Sequence, residues 1–260
     1  MTTDARILMA LRAAGWEGVS GADLAGQLGI SRAAVWAHIE ELRGLGFEIE
    51  ASPHHGYRLV RSPDRLLADD LLSRLAGRVR CLGRDIRVFA STTSTNDVVE
   101  KLALDGAREG VVVFAEEQTK GRGRLGRSWV SPAGKGLWFS VLLRPPLRTA
   151  EATQITVAAA AAVYRAVRQA TGLPLEIKWP NDIVCRGRKV AGILTEMSAD
   201  PDVLHHVVLG IGVDVNLERS DFPPDLQFLA TSLQLELGRP LDRPALAAAL
   251  LMALDEDYQR

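Results

Sequence analysis

The sequence has little cysteine, little histidine, no long apolar run and almost no net charge, and each shortage excludes something. Cys81 and Cys185 are the two cysteines of 260 residues and fall in no metal or redox spacing, so reduced thiols are expected rather than a disulfide scaffold. Five histidines are scattered, and the adjacent His205 and His206 lie in a strand-like stretch where neighbours point to opposite faces. No metal-ligating set is expected. No run reaches the roughly 18–20 apolar residues of a membrane span. The start, MTTDARILMALRAAGW, lacks the basic leader and small-residue cleavage site of a secretory signal. A cytoplasmic protein with no membrane partner is expected. A net charge of -1 with 47% hydrophobic residues describes a globular chain of one or two domains, long enough to bury a substantial core.

Acid is also missing from one stretch where base is plentiful. Gln118–Trp129 (QTKGRGRLGRSW) holds three glycines and the cations Lys120, Arg122, Arg124 and Arg127. Glycine leaves backbone N–H groups unshielded, and interleaved arginines add forked donors suited to carboxylate or phosphate oxygens. Such a loop can be mobile when empty and ordered around an anion. Gly121–Gly126 also fits G-x-G-x-x-G, but that dinucleotide fingerprint needs a helix to open at its end and an acid about 20 residues on. Pro132, Gly134 and Gly136 follow, and Glu151 is the next acid. A Rossmann unit is excluded.

The first 62 residues read as a small domain. Residues 4–14 carry Ile7, Leu8 and Leu11 on one helical face, ended by Gly15. Ser20 caps a second helix with Leu24 and Leu28, closed by Gly29. Ser31 caps a third, with Val35, Ile39 and Leu42 at helical spacing and Gly44 and Gly46 as its stop. Phe47–Glu50 and Tyr57–Val60 form two β runs around Pro53-His54-His55-Gly56. This stretch resembles the winged helix-turn-helix of bacterial transcription regulators, which implies that Ser31, Arg32, Ala33, Trp36 and His38 open a recognition helix toward a DNA major groove. Six arginines face seven acids over residues 1–62, so topology rather than charge argues for DNA, and a docking module is the competing reading.

Arg61-Ser62-Pro63-Asp64 breaks the pattern, so residues 63–67 read as a linker and 68–260 as a second domain. Leu66–Leu75 is a short helix, Ile86–Ala90 a strand and Val98–Leu104 a helix. Ser94 with Asp97 has capping-box spacing. Its hydroxyl either caps the helix or forms the polar wall of a ligand pocket. Val111–Glu116 is a buried strand delivering the basic loop, Gly136–Leu143 another, and Gln154–Thr171 an alanine-rich helix stopped by Gly172. In Leu175–Asp182 (LEIKWPND), Ile177 and Trp179 alternate with Glu176 and Lys178, so Lys178 is expected to face away from the strand's apolar side. Beside the Trp-Pro-Asn-Asp corner it is a candidate for holding phosphate. Lys189–Met197 continues a hairpin, and Val203–Asn216 adds a strand whose Gly210-Ile211-Gly212 lets backbone or ligand approach closely. Leu241–Tyr258 is a helix with Leu246, Leu250 and Leu254 spaced by four.

Ser94-Thr95-Asn96, GRGRLGRSW with SPAGKGLWFS, KWPND, GRKVAGILTE and IGVDVN occur in that order. Together with the winged helix they resemble the bifunctional biotin–protein ligases that double as biotin operon repressors. The resemblance implies an α+β fold: a winged helix-turn-helix followed by a mixed-sheet, class II synthetase-like catalytic domain. It implies that biotin and ATP form biotinyl-5′-adenylate and that biotin passes to a lysine of a biotin carboxyl carrier protein. Mg²⁺ is expected with ATP, held largely by phosphates and water. By similarity, Lys178 and Arg124 are catalytic, Lys178 contacting the biotin carboxyl oxygen and the α-phosphate, and Arg122, Gly123 and Arg124 bind biotin as the loop that closes over the carboxylate and the adenylate. Ser94, Thr95, Asn96 and Gln118 take the ureido ring, which needs donors and acceptors. Trp129 covers adenine, and Asn216 assists with the nucleotide. A homodimer on biotin-operon DNA is implied when the adenylate is bound. Family members carry a small β-barrel after the catalytic core. The sequence stops at Arg260, so that barrel is expected to be absent from this chain. A lipoate- or octanoate-transferring enzyme shares the core but has no use for ureido partners. A ligand-sensing regulator with an inactive core is the other alternative, and intact Lys178 and Arg124 argue against it.

Overall fold

Hydroxyl and glycine caps bound the first helices where the residue pattern places them. The computed structural model describes residues 1–52, 55–200 and 203–260. α1 (Thr3–Ala14) is capped by Thr2 and closed at Gly15, α2 (Gly21–Leu28) by Ser20 and Gly29, and α3 (Arg32–Gly44) opens on Ser31, whose Oγ accepts from the Ala34 N–H at 3.1 Å. Ile7, Leu8, Leu11, Leu24, Val35, Ile39 and Leu42 meet in one core with Phe47 and Ile49. β1 (Glu48–Ser52) and β2 (Gly56–Arg61) form the antiparallel wing. Of the expected turn, Pro53 and His54 lie outside the described residues.

α4 (Ala68–Leu75) corrects the domain boundary. The first compact unit runs to Ala76 and the second is Gly77–Arg260. The cause is a buried carboxylate. Asp70, 1% exposed, pairs with Arg12 of α1 and with Arg74 at 2.8 Å, while Arg12 also donates to Ser62 and Ser73. The polar Arg61–Asp64 break therefore interrupts the chain without separating α4 from the helices before it.

The second unit is built on a seven-stranded mixed sheet. Its strands are β3 (Asp85–Phe89), β4 (Val111–Ala115), β5 (Leu137–Leu143), β6 (Leu175–Lys178), β7 (Asp182–Cys185), β8 (Arg188–Ala199) and β9 (Leu204–Val213), in the order β3-β4-β5-β9-β8-β7-β6. β3 and β4 are parallel and every other pair antiparallel. α5 (Thr95–Leu104) packs Val99 and Ala103 onto Val111, Val113, Leu142 and Val208. α6 (Thr153–Thr171) covers the opposite face, where Thr156 and Thr195 share a hydrogen bond at 2.8 Å. After a short α7 (Leu233–Leu237), α8 (Arg243–Tyr258) buries Leu246, Leu250 and Leu254 and packs on α6.

β6 departs from expectation. It is an edge strand, with Ile177 42% and Trp179 76% exposed, so its alternation marks no buried face. Both cysteines are free, and burial pushes each thiol up to about 11, with Glu109 and Glu236 adding to the effect at Cys81 and Cys185 respectively. Among the described residues no helix is long and apolar enough to cross a membrane. Removing one partner of a buried ion pair strands the other charge and costs about 3 kcal/mol. Asp70→Ala should therefore lower the urea stability of the first unit by ~3 kcal/mol, and a loss below ~1 kcal/mol would show that Asp70 does not fasten α4 to α1.

Candidate active site

Strand register decides what the site can hold. Ser140, Gly210, Gly212, Gly192 and Glu196 project from one face of β5, β9 and β8, because side chains alternate and Ser140 pairs with Gly210, Gly212 with Gly192 and Glu196 with Val208. Three of these five positions are glycine, so side chains from outside the sheet lie directly on it. A Cβ at Gly210 would stand 2.3 Å from Asn96 Oδ1. A Cβ at Gly212 or Gly192 would stand 2.6 or 2.9 Å from the Trp129 ring.

Asn96 belongs to a polar pocket made by the start of α5, the basic loop and the bare strands. The Thr95 N–H donates to Gln118 Oε1 at 2.9 Å, and Thr95 Oγ1 and Ser140 Oγ share a hydrogen bond at 2.6 Å. Ser140 donates to Asn96 Oδ1, while Gln118 Nε2 donates to Ser131 at 2.9 Å. Ser94, Thr95 and Asn96 are all buried. Ser94 occupies the N-cap position of α5, but its hydroxyl makes no capping bond; Thr93 bonds Asp97 instead, at 2.9 Å. The Ser94 hydroxyl thus belongs to the pocket, and the capping reading is corrected. The pocket offers donors and acceptors together on rigid backbone, which suits a small polar ring.

The basic loop folds back as a narrow hairpin: the Gly123 N–H donates to Arg127 O at 2.7 Å and the Trp129 N–H to Gly121 O at 2.9 Å. Its two central arginines differ. Arg122 is bound to Glu196 and Asp97, and the Glu196 hydrogen bonds hold its charge more firmly still. Burial works against the Glu196 carboxylate, but hydrogen bonds from Arg122 and Asn96 leave it below its ordinary value. Arg124 donates to Asn181 Oδ1 at 3.1 Å, and Asn181 Nδ2 is anchored on Ile193 O at 3.0 Å.

Arg124, Gly123, Trp129, Asn181 and Lys189 also line a second, outer cleft, continued by Lys178, Asp182 and Asp214 and by Phe222, Leu226, Leu229 and Ala230. Lys178 is exposed and lines this outer cleft, not the polar pocket. Lys189 pairs with Asp182 at 2.7 Å and sits 4.9 Å over the Trp129 ring. Asp214 is 4% exposed, and its backbone is bonded to Val190 O and the Leu233 N–H, at 2.8 and 2.9 Å. Burial raises its carboxyl well above the ordinary range, opposed by Lys189. Asn216 lines neither cleft. Its amide clamps Leu241, donating to the carbonyl and accepting from the N–H, each at 2.9 Å. Lys189, Asn181, Glu196 and Asp214 lie inside GRKVAGILTE, KWPND and IGVDVN, yet sequence alone gives them no role. Ser140 ends SPAGKGLWFS in an otherwise apolar strand, and sequence alone gives it no role either.

In the first unit, Arg32, Ala33 and Trp36 are exposed on α3, Trp36 at 57%. His38 does not join them; its Nδ1 faces Asp4 of α1 at 2.7 Å. Five of this unit's eight arginines pair with carboxylates (Arg12–Asp70, Arg74–Asp70, Arg43–Glu40, Arg58–Glu50, Arg61–Glu48), and Arg6 donates to Gln27 O. Arg32 pairs with no acid among the described residues.

A helix-turn-helix unit followed by a sheet whose bare face carries a polar pocket and a cation-lined cleft defines the class, a DNA-binding module joined to a biotin/lipoate ligase fold. Residues 4–58 match the HTH domain family and residues 88–214 the Biotin/lipoate A/B protein ligase family. The chain is 40% identical to the bifunctional ligase/repressor BirA of Bacillus subtilis over 95% of its own length and 75% of that protein's. It is 34% identical to the bifunctional ligase/repressor BirA of Escherichia coli, over 95% and 74%. The structure of the biotin protein ligase from Aquifex aeolicus in complex with biotin and ATP superposes with a TM-score of 0.58 at 30% identity, covering 68% of this chain and 71% of that one. The chain belongs to the family of bifunctional biotin ligase/repressors.

Forcing a side chain under Trp129 should displace the indole and overpack the site at a cost of ~1–3 kcal/mol. Gly212→Ala is expected to lower the thermal stability of the second unit and to change tryptophan emission. A variant with the parent's stability and emission would show that Trp129 does not rest on Gly212.

Proposed function

We propose that the chain, in the cytoplasm, joins biotin to ATP as biotinyl-5′-adenylate, passes biotin to a lysine of a biotin carboxyl carrier protein, and pairs on biotin-operon DNA when the adenylate is bound. The observation that carries this reading is the wall shared by the two clefts. Arg124, Asn181, Trp129 and Lys189 border both the donor-and-acceptor pocket and the outer cleft. A ligand with a polar ring at one end and a carboxylate at the other would present that carboxylate where a nucleotide's phosphates would lie.

In this reading Ser94, Thr95, Asn96 and Gln118 hold the ureido ring. Arg124 and Lys178 face the carboxylate and α-phosphate, and the Trp129 ring covers the adenine. One carboxylate oxygen bonds to the α-phosphorus and the bond to the departing pyrophosphate breaks. Two anions must approach, so cations and backbone N–H groups fixed beforehand lower the barrier. The carrier amine then attacks the acyl carbon and AMP leaves. A closed loop keeps water from the mixed anhydride in the interval. Asp182 lines the outer cleft, and one carboxylate together with phosphate oxygens and water is a ligand set that Mg²⁺ takes. Bound there with ATP, the ion would neutralise phosphate charge. A lipoyl chain would leave Thr95, Asn96 and Gln118 unmatched, which disfavours the transferase reading.

Incubation with biotin, ATP and a biotin carrier domain should give a carrier one biotin heavier by intact mass, and an unchanged carrier would overturn the reading. Losing one charge-assisted contact in a closed site costs about 2–4 kcal/mol of barrier, roughly 10²–10³ in rate. Lys178→Ala, exposed and off the core, should show that loss in biotin-dependent pyrophosphate release while melting like the parent. Wild-type release would remove Lys178 from the reaction.

Because most arginines of the first unit are paired with acids, a single copy should bind DNA weakly, with the micromolar or poorer affinity of non-specific contacts. Two copies on a two-fold site would supply the rest. Ordering Gly121–Arg127 around the adenylate would spend entropy that pairing then need not. Sedimentation and gel-shift titrations should show the adenylate raising both dimer fraction and affinity, and Arg32→Ala losing DNA while keeping ligation. No change in either quantity on adding adenylate would leave a docking module as the better account of the first unit.

A further inference from the structure

Arg122 and Arg124 stand two residues apart in one loop, yet their guanidinium groups meet opposite surroundings. Arg122 donates from Nε to Glu196 Oε1 at 3.0 Å and from Nη2 to Glu196 Oε2 at 2.8 Å, a two-pronged contact, and from Nη1 to Asp97 Oδ1 at 2.6 Å. Two carboxylates on one guanidinium leave no net positive charge to offer a ligand. Arg124 pairs with no carboxylate among the described residues and is held only by the neutral Asn181 amide. By this division Arg122 is a strut and Arg124 is the loop's cation toward anions.

Glu196 has a second bond. Its Oε2 also accepts from Asn96 Nδ2 at 2.6 Å. That contact fixes which way the Asn96 amide points, so that Asn96 Oδ1 accepts from Ser140, whose Oγ in turn accepts from Thr95 Oγ1, while the Thr95 backbone N–H donates to Gln118 Oε1. One carboxylate on β8, a strand paired along its length with β9, therefore reaches both the loop and the pocket wall. Paired charged hydrogen bonds of this geometry are the strong kind.

We infer that Glu196 is a positioning residue that fastens the basic loop through Arg122 and sets the Asn96 amide in the polar pocket, so that loop closure and ring binding depend on the same carboxylate. The inference rests on the reading of the pocket as the site of biotinyl-5′-adenylate, and predicts a sign. If Arg122 itself held the ligand's anion, Glu196 would compete for it, and removing the Glu196 charge would tighten binding. If Glu196 is the anchor, the same change loosens it.

The test compares the full-length parent, Glu196→Gln and the charge-swapped double variant Arg122→Glu with Glu196→Arg. Biotinyl-5′-adenylate dissociation, thermal midpoint and trypsin cleavage of the Gly121–Arg127 loop are measured for each. Glu196→Gln should release the adenylate roughly ten- to a hundredfold faster, the usual weight of a hydrogen bond to a charged group. Its midpoint should change little, because a part-exposed ion pair adds little to folding. The swapped pair should recover much of the resistance to trypsin but not the slow release, because a guanidinium at position 196 cannot accept from Asn96. Slower release from Glu196→Gln, or loop cleavage of the swapped pair as fast as that of Glu196→Gln, would overturn the inference. Should Glu196→Gln fail to fold, Glu196→Asp, which keeps the charge but shortens the reach, is expected to move release the same way. Should the parent form no adenylate, the functional reading fails, and the inference is decided by trypsin: faster loop cleavage in Glu196→Gln, reversed in the swapped pair, supports it, and equal cleavage overturns it.

Discussion

Three glycines on one sheet face are the constraint on which the site depends. A β-sheet normally fills its covered face with its own side chains. Where Gly192, Gly210 and Gly212 leave it bare, Asn96 and Trp129 lie flat against strand backbone, closer than any Cβ would permit. Everything polar in the pocket is arranged around that approach. Asn96 on Gly210 can reach Ser140 and Glu196, and Trp129 on Gly212 separates the polar pocket from the outer cleft. The two parts of a ligand would then rest on one rigid surface, with the loop the main movable wall.

Much of this was legible in residue patterns, and the failures have physical causes. Caps and apolar spacing located α1, α2 and α3, since each reports on backbone within a turn of itself. The buried strand Val111–Ala115 reads as an apolar run because both its faces are covered. Glu196 and Lys189 could not be assigned from sequence, because a lone acid or base in a strand is ordinarily a solvated one. Glu196 bonds Asn96 and Arg122, 100 and 74 residues away in the chain, and Lys189 lies over Trp129 of the distant basic loop. Ile177 and Trp179 alternate like a core strand, but alternation carries no information about whether anything lies against it, and an edge strand leaves them exposed. Asn216 sits in a motif at the site's border, yet the Leu241 backbone takes its amide. The boundary near residue 62 failed because composition marks a loop, whereas a buried Asp70 decides what α4 packs against.

Charge is distributed by function rather than in bulk. A net charge of -1 conceals neighbouring positions with opposite duties. In the first unit the wing arginines are bound to wing glutamates, so specificity rather than general attraction would have to carry DNA recognition. In the second, the loop's two central arginines are split, Arg122 neutralised by Glu196 and Asp97 and Arg124 not. Counting arginines in Gln118–Trp129 overstates the field that a ligand would meet.

The same division addresses a difficulty that any glycine-rich closing loop faces. Freedom to open costs entropy on closing, about 1–2 kcal/mol for each residue whose backbone is fixed. A ligand that met the whole of that cost would bind weakly. Anchoring the loop through Arg122 to Glu196 and Asp97 limits how far it travels, and the Gly121–Trp129 and Gly123–Arg127 backbone bonds shorten the segment that must be ordered. The remaining mobile part is its tip, where Leu125 is 90% exposed with positive φ. A ligand that spans both clefts would meet the loop at Arg122 on the pocket side and at Leu125 and Arg127 on the outer side, as well as at Arg124, which borders both. Biotin alone and nucleotide alone would each order less of the loop than their adenylate, which is the discrimination required of a corepressor.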